Sequence, residues 1–406
     1  MSESERPLAS ANSQGPLVGL VLSGGGARGA YEVGVLSYLF GDFTRLLGRP
    51  PRVDIICGTS VGGINGSHLA AHMANPVAGV RRLVDLWLAL ELQQVLNFPI
   101  TQAFRLPRVF LGGGDASGIF DVRPMVDLVH REVSWKAVAR SVRRGHLRAL
   151  SISATEISTG RTTVFIDAHP DVQVPAMMGP RAIVVQGPIT PMHVLATAAI
   201  PMVFPPVRIG SLLYCDGGLR QNTPIAPAIR LGADRVLVIG VAREIRGSAA
   251  KETLATNDKS PGAAFLLGKV LNAFLIDHVQ SDLELLERIN AMLADGVKAF
   301  GPTFLEELGR VADARGGEVA RPIQALAVRP SEDIGRLAGQ HVRQARLSGP
   351  LTTRQLLKFL AAGASDEADL ASYLLFDGAF ARRLIDMGRA DAEAMRFQLA
   401  SFFEGT

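Results

Sequence analysis

Apolar positions along the chain fall into two kinds of pattern, and the two alternate. Leu17–Ser23 (LVGLVLS) is an unbroken apolar run of the sort that fills a parallel strand buried on both faces. Glycines follow at once. Ala30, Val33, Leu36 and Leu39 or Phe40 then recur at helical spacing, which predicts a helix over about Arg28–Phe40. Val53–Cys57 reads as a second buried strand that breaks at Gly58, with a helix starting just after Ser60. Strand, turn and helix, twice over, is the βαβ order of a parallel sheet.

The remaining pattern extends this. Residues 79–146 are mostly helical in spacing, with a glycine-rich loop at Leu111–Gly118. Strand composition returns at Ala149–Thr155 and Thr162–Asp167, which flank a hairpin turn at Thr159-Gly160. Residues 207–216 predict a strand ending in Asp-Gly-Gly, Arg235–Val241 a buried strand, and Ile323–Val328 a last one. Helical periodicity dominates 262–296 and 351–404, while Arg243–Pro261 is polar and reads as a mobile surface loop. The expected fold is α/β: a mostly parallel central sheet flanked by helices, with a C-terminal helical extension.

Composition narrows the class. With 48% hydrophobic and 20% charged residues in 406, the chain can bury a large core, and wholesale disorder is excluded. Met1–Gly15 is polar without an apolar centre, so it is read as a disordered tail and not as a secretory signal. No stretch approaches the roughly 18 apolar residues of a membrane span, so any membrane contact is expected to be peripheral. Two cysteines, Cys57 and Cys215, make no disulfide framework and point to a reducing, cytoplasmic setting. The net charge of +4 comes mostly from arginine, densest at Arg140, Arg143, Arg144, His146 and Arg148. The ordinary reading of that cluster is a solvated helix end, and the sharper one is attraction to anionic lipid headgroups. No aromatic residues interleave with it, so nucleic acid is not an expected partner.

Three short motifs carry chemistry. Gly24-Gly25-Gly26-Ala27-Arg28-Gly29 lies between strand and helix, where a glycine-rich turn and a helix N-terminus can hold a phosphate or an oxyanion. Gly24, Gly26 and Gly29 also satisfy the dinucleotide fingerprint, but the next strand ends in Cys57-Gly58-Thr59 where that reading needs a ribose-binding acid; Asp54 sits near its beginning. In that place stands Gly58-Thr59-Ser60-Val61-Gly62, a G-x-S-x-G elbow whose small neighbours permit a strained turn that lifts a serine hydroxyl off the sheet. The N–H of Val61 can join the Gly25–Gly26 region around an oxyanion. Asp216-Gly217-Gly218 suits a carboxylate aimed into a site, although Asp-Gly is also an ordinary turn pair.

Taken together, GGGARG at 24–29, GTSVG at 58–62 and DGG at 216–218 resemble the patatin-like phospholipase family, as do Ala196–Pro206 (ATAAIPMVFPP) and Asn222-Thr223-Pro224. The resemblance covers about residues 17–242. A weaker likeness, at Tyr373–Asp377 and the helix after it, is to extensions of some bacterial members. The resemblance implies a three-layer sandwich with residues 16–330 as the catalytic domain and 331–406 as the extension. It implies a lipid acyl hydrolase of phospholipase A or lysophospholipase type, acting on phospholipid or another acyl-ester lipid without metal or cofactor. Ser60 would be the nucleophile, Asp216 the general base, and Gly24, Gly25, Gly26, Arg28, Gly29 and Val61 the oxyanion hole. Since a free aspartate has a pKa of about 3.9, Asp216 is expected to be buried.

Other candidates are weighed beside these. A Ser-Asp-His triad could recruit His278 or His341, but that fold builds several strands before its elbow. His68 and His72, at i and i+4, have metal-ligand spacing without a third donor nearby in sequence, so helix-face histidines are the preferred reading. Cys57 and Cys215 are expected on strand ends close to one another. Leu96–Leu111 (LNFPITQAFRLPRVFL) reads first as a packed segment and second as a lid that docks on membrane. A protein that keeps this fold but acts only by binding is the non-enzymatic alternative. The lipid cleaved and the oligomeric state are left open.

Overall fold

A sheet of nine strands among the described residues forms the middle of the molecule. The computed structural model describes residues 15–95, 122–179, 181–201, 203–243, 278–314, 321–344 and 369–406. The N-terminal tail up to residue 14, the segment Leu96–Leu111 and the loop beyond Arg243 lie outside them, as do parts of the helical stretches expected over 262–296 and 351–404.

The strands are β1 (Val18–Leu22), β2 (Ile55–Thr59), β3 (Ala149–Glu156), β4 (Thr162–Ala168), β5 (Ala182–Gln186), β6 (Val207–Ile209), β7 (Leu212–Asp216), β8 (Arg235–Ile239) and β9 (Gln324–Val328). Their order is β5-β4-β3-β2-β1-β8-β9, with a β6–β7 hairpin paired to β3. Five pairings are parallel: β1–β2, β1–β8, β2–β3, β4–β5 and β8–β9. The β3–β4, β3–β7 and β6–β7 pairings are antiparallel. The expected single strand over 207–216 is therefore corrected to two, because Gly210 at φ +59° turns the chain between them.

In chain order the helices are α1 (Gly29–Leu39), α2 (Asp42–Leu47), α3 (Val61–Ala71), α4 (Pro76–Leu88), α5 (Leu92–Val95), α6 (Arg123–Glu132), α7 (Trp135–Arg143), α8 (Pro191–Thr197), α9 (Gly218–Gln221), α10 (Ile225–Arg230), α11 (His278–Phe300), α12 (Phe304–Ala314), α13 (Ile334–Gln344), α14 (Asp369–Leu374), α15 (Gly378–Ala394) and α16 (Arg396–Phe403). The central strands are apolar on both faces because both are covered. Leu20, Leu22, Ile56, Ile152 and Leu237 turn to one core, which also holds Tyr31, Leu36, Leu69, Trp87 and Val129. Val21, Ile55, Cys57, Val164 and Val236 turn to the other, with Ile225, Ala228, Leu283 and Leu286. Helix, sheet and helix make three layers.

The C-terminal helices do not stand apart. Tyr373, Phe380, Leu384, Phe402 and Phe403 share the first core with Tyr31, Leu36 and Phe43. The expected helical extension is thus joined to the sheet by a common interior.

Candidate active site

Two strand ends meet head-on to build the site. β2 runs parallel to β3 and ends with Thr59 opposite Ser153. β7 runs antiparallel to β3 and ends with Asp216 opposite Ala154. The two strands therefore approach each other along the same neighbour and stop one residue apart in register. Ser60, next after β2, and Asp216, last in β7, arrive at one point.

At that point the Ser60 hydroxyl donates to Asp216 Oδ2 at 2.7 Å. Ser60 has φ 52° and ψ −126°, and it alone among the described non-glycine residues has positive φ. Such a backbone is strained and persists only where its surroundings over-determine it. The surroundings do so here. Ser60 N–H donates to Thr197 Oγ1 at 2.8 Å, and Thr197 Oγ1 donates in turn to Ser153 O. A Cβ at Gly62 would lie 2.4 Å from Leu22 O, and one at Gly58 2.5 Å from Gly62 O, so the G-x-S-x-G glycines are required by close approach.

Asp216 is only 1% exposed. Its Oδ1 accepts from Gly218 N–H at 2.7 Å, and its backbone N–H donates to Ala199 O at 2.8 Å. Burial pushes its pKa up to about 7, against the lowering effect of the Ser60 hydroxyl and the Gly218 N–H. A carboxyl poised near neutrality can both take and return a proton at physiological pH.

The glycine loop lies beside Ser60. A Cβ on Gly24 would come within 3.1 Å of Ser60 Cβ. Three of its N–H groups are already committed: Gly24 to Asn222 O at 3.0 Å, Arg28 to Gly25 O at 3.1 Å, and Gly29 to Gly26 O. Gly25 and Gly26 precede the first helical hydrogen bond, as Val61 does at the start of α3, so their N–H groups have no intrahelical acceptor. The Arg28 side chain turns away from Ser60: its Nε donates to Ser372 Oγ at 2.7 Å and its guanidinium pairs with Asp369 at 3.1 Å.

From Ser60 a cavity opens with about 870 Å³ of empty space, part of it open to solvent. Its walls are apolar side chains, among them Ile64, Leu83, Trp87, Met125, Val129 and Phe204. Asn65, His68 and Glu132 are polar residues of the same lining. Val61 to His68 is seven residues of helix, or roughly 10 Å of wall. Within this lining Trp87 Nε1 donates to Asn65 Oδ1 at 3.0 Å, and Asn65 Nδ2 donates to Glu32 Oε2 at 2.9 Å. Burial holds the Glu32 carboxyl well above the usual carboxylate range.

The other sequence candidates fall elsewhere. His68 Nε2 is 3.1 Å from Gly79 O and His72 Nδ1 is 2.8 Å from His68 O, so one nitrogen of each ring is engaged with backbone. Burial and the neighbouring His72 bring the His68 pKa down to about 4. His341 pairs with Asp377, which caps α15, and the side chain of His278 lies outside the described residues. The cysteines are not close, contrary to expectation. Cys57 stands opposite Ser151 and Cys215 opposite Thr155, four residues apart on β3, or roughly 13 Å. Head-on strands carry residues before their ends away from each other. Burial raises the Cys57 thiol to about 12 and Cys215 to about 11, which leaves both protonated. The arginine cluster leads into the start of β3, at the strand end away from Ser60, and none of its residues is in the cavity lining.

Sequence reasoning missed Thr197 and Thr155, and it named Gly218 in the DGG motif without giving it a role. Thr155 Oγ1 donates to Asp216 O at 3.0 Å. Thr197 sits in the Ala196–Pro206 stretch, where the sequence marks a likeness but gives no single residue a role. The apolar pattern does not predict β5 or α8 either.

Comparison with known proteins fits this geometry. The profile of the family described as patatin-like phospholipase matches residues 20–229. A cGAMP-activated phospholipase from Pseudomonas aeruginosa is 30% identical over 223 residues, which is 50% of this chain and 53% of that protein. The chain thus spans about half the length of the curated relative it matches. Among solved structures, human GIVD cytosolic phospholipase A2 superposes with a TM-score of 0.45 at 12% identity, over 96% of this chain and 60% of that one. VipD from Legionella pneumophila gives a TM-score of 0.29 at 14% identity, over 91% and 67%. These two are weak likenesses. The profile match spans just over half of the chain and takes in all three motifs that meet at Ser60, and the protein belongs to the patatin-like phospholipase family.

Proposed function

We propose that the protein hydrolyses fatty-acyl esters of lipids through an acyl-enzyme on Ser60, with Asp216 as general base. The observation that carries this reading is the 2.7 Å hydrogen bond between the strained Ser60 and a buried Asp216, at the mouth of an apolar cavity. Ser60 Oγ attacks the ester carbonyl carbon as Asp216 takes the hydroxyl proton. The N–H groups of Gly25, Gly26 and Val61 stabilise the tetrahedral oxyanion; Gly24, Arg28 and Gly29 shape the loop. Collapse breaks the ester C–O bond, and the departing alcohol takes the proton from Asp216. Water then attacks the acyl-enzyme, again giving a proton to Asp216, which returns it to Ser60 Oγ as the fatty acid leaves.

The cavity supports lipid as substrate. The wall from Val61 to His68, roughly 10 Å long, offers an apolar surface along which an acyl chain can lie. In this reading residues 16–330 perform the chemistry and 331–406 support it. Peripheral contact with membrane belongs to the same proposal; no helix among the described residues is long and apolar enough to cross one.

The test is direct. A fluorophosphonate should add its mass to the Ser60 peptide, and fatty acid should be released from a phospholipid and glyceride panel. Ser60→Ala and Asp216→Asn should lower that release by orders of magnitude. Equal release by Ser60→Ala would refute the reading. Because a relative is named for activation by cGAMP, one arm of the assay includes that cyclic dinucleotide; a rate increase there assigns the same control to this chain.

A further inference from the structure

The glycine loop is held from outside by a helix more than three hundred residues away in sequence. Arg28 is the loop's one charged residue, and it is 3% exposed. Three residues of α14 surround its side chain. Asp369 Oδ1 accepts from Nη2 at 3.1 Å, Ser372 Oγ accepts from Nε at 2.7 Å, and the Tyr373 ring lies beneath the guanidinium carbon at 4.3 Å. Ser372 Oγ is itself oriented, since it donates to Asp369 O at 2.6 Å. A carboxylate, a hydroxyl and an aromatic face meet the planar guanidinium on three sides, an arrangement that arginine suits and lysine does not.

The same helix also presses on the loop backbone. Gly26 is at φ +56°, and a Cβ there would lie 2.3 Å from Tyr373 O. Gly26 lines the cavity together with Ser60 and Tyr373. Tyr373 is thus in contact with the loop through its ring at Arg28 and through its carbonyl at Gly26. The position of the Gly25 and Gly26 N–H groups is therefore fixed on one side by β1 and on the other by α14. Oriented donors are effective only at the right distance from the developing charge, and a displacement of about 1 Å reduces rates by roughly a hundredfold.

We infer that Asp369, Ser372 and Tyr373 are positioning residues for the oxyanion loop, acting through Arg28 and Gly26. This rests on the Ser60 acyl-enzyme reading. It makes the C-terminal segment part of the catalytic apparatus, and it means that displacement of α14 lowers turnover while Ser60 and the acyl cavity stay intact.

The experiment compares full-length wild type with Asp369→Asn, Ser372→Ala and Leu384→Ala. Leu384 is fully buried in α15 and its side chain has no acceptor to offer Arg28, so its truncation lowers stability without removing a partner of the guanidinium. The readouts are Tm, kcat and KM on a soluble medium-chain nitrophenyl ester, and the rate of fluorophosphonate labelling at Ser60. Asp369→Asn should lower kcat about ten- to a hundredfold with KM within about twofold, and Ser60 should still label fully but more slowly. Leu384→Ala should lower Tm at least as much while keeping kcat within about twofold. Should Asp369→Asn not fold, Ser372→Ala removes one acceptor and no charge, and should lower kcat about tenfold. An active, labelled wild type whose α14 variants lose no more kcat than Leu384→Ala overturns this inference alone. A wild type that hydrolyses no ester and takes no label at Ser60 overturns the acyl-enzyme reading and this inference with it.

Discussion

Raising the pH through neutrality should switch on one carboxyl, Asp216, and activity and stability should then move in opposite directions. Burial raises the Asp216 pKa from its ordinary 3.8 to about 7. Only the ionised form can accept the Ser60 proton. At pH 8 roughly nine-tenths of the enzyme is competent, at pH 6 about one-tenth, and at pH 5 about one-hundredth. The kcat/KM of a soluble ester should therefore fall about tenfold per pH unit below 7 and level off above about 8, since this parameter reports the free enzyme. Stability runs the other way. The folded pKa lies above the unfolded one, so this contribution is fully present below about pH 4 and is lost as pH rises through about 7, by ~4 kcal/mol at most. Asp216→Asn removes the ionisation. It should abolish most activity yet match or exceed the wild-type Tm at pH 8, with the advantage shrinking towards pH 4. Stopped assays across about pH 5–9 and melting curves of both proteins check this. A flat rate profile, or an acid limb centred near the ordinary carboxylate value, would refute a buried Asp216 as the base.

Three further outcomes are expected. Gly26→Ala forces a Cβ to within 2.3 Å of Tyr373 O at a positive φ, so kcat should fall by about a hundredfold or more; wild-type turnover would show that the loop is not held there. Glu32→Gln should change the unfolding free energy by less than about 1 kcal/mol, because burial already favours the uncharged form of the Glu32 carboxyl, whereas Glu32→Ala should lose about 3 kcal/mol. A large loss in the glutamine variant would mean that the carboxylate is ionised. Val129→Trp fills the cavity wall, so kcat/KM on a long-chain ester should fall about tenfold with a short-chain ester spared. Equal losses on both would place the acyl chain elsewhere.

Sequence alone determined what has local causes. The apolar runs at β1 and β2, the helical spacing of α1, and the small residues around Ser60 each follow from backbone geometry within a few residues. The turn at Thr159-Gly160 was legible for the same reason, since Gly160 takes φ +63°. β5 was not, because it is short and half exposed, with no alternation strong enough to read. The Asp216-Gly217 pair looks like any turn from within, and nothing local distinguishes it from one. Its meaning comes from register: β2 and β7 pair with the same strand from opposite directions, which brings together residues 156 positions apart. The same register separates Cys57 from Cys215. Arg28, assigned to the oxyanion hole by the family resemblance, pairs its side chain with Asp369, 341 positions away. Contacts of that range depend on which strand pairs with which and which helix covers the result, and only the tertiary structure decides them.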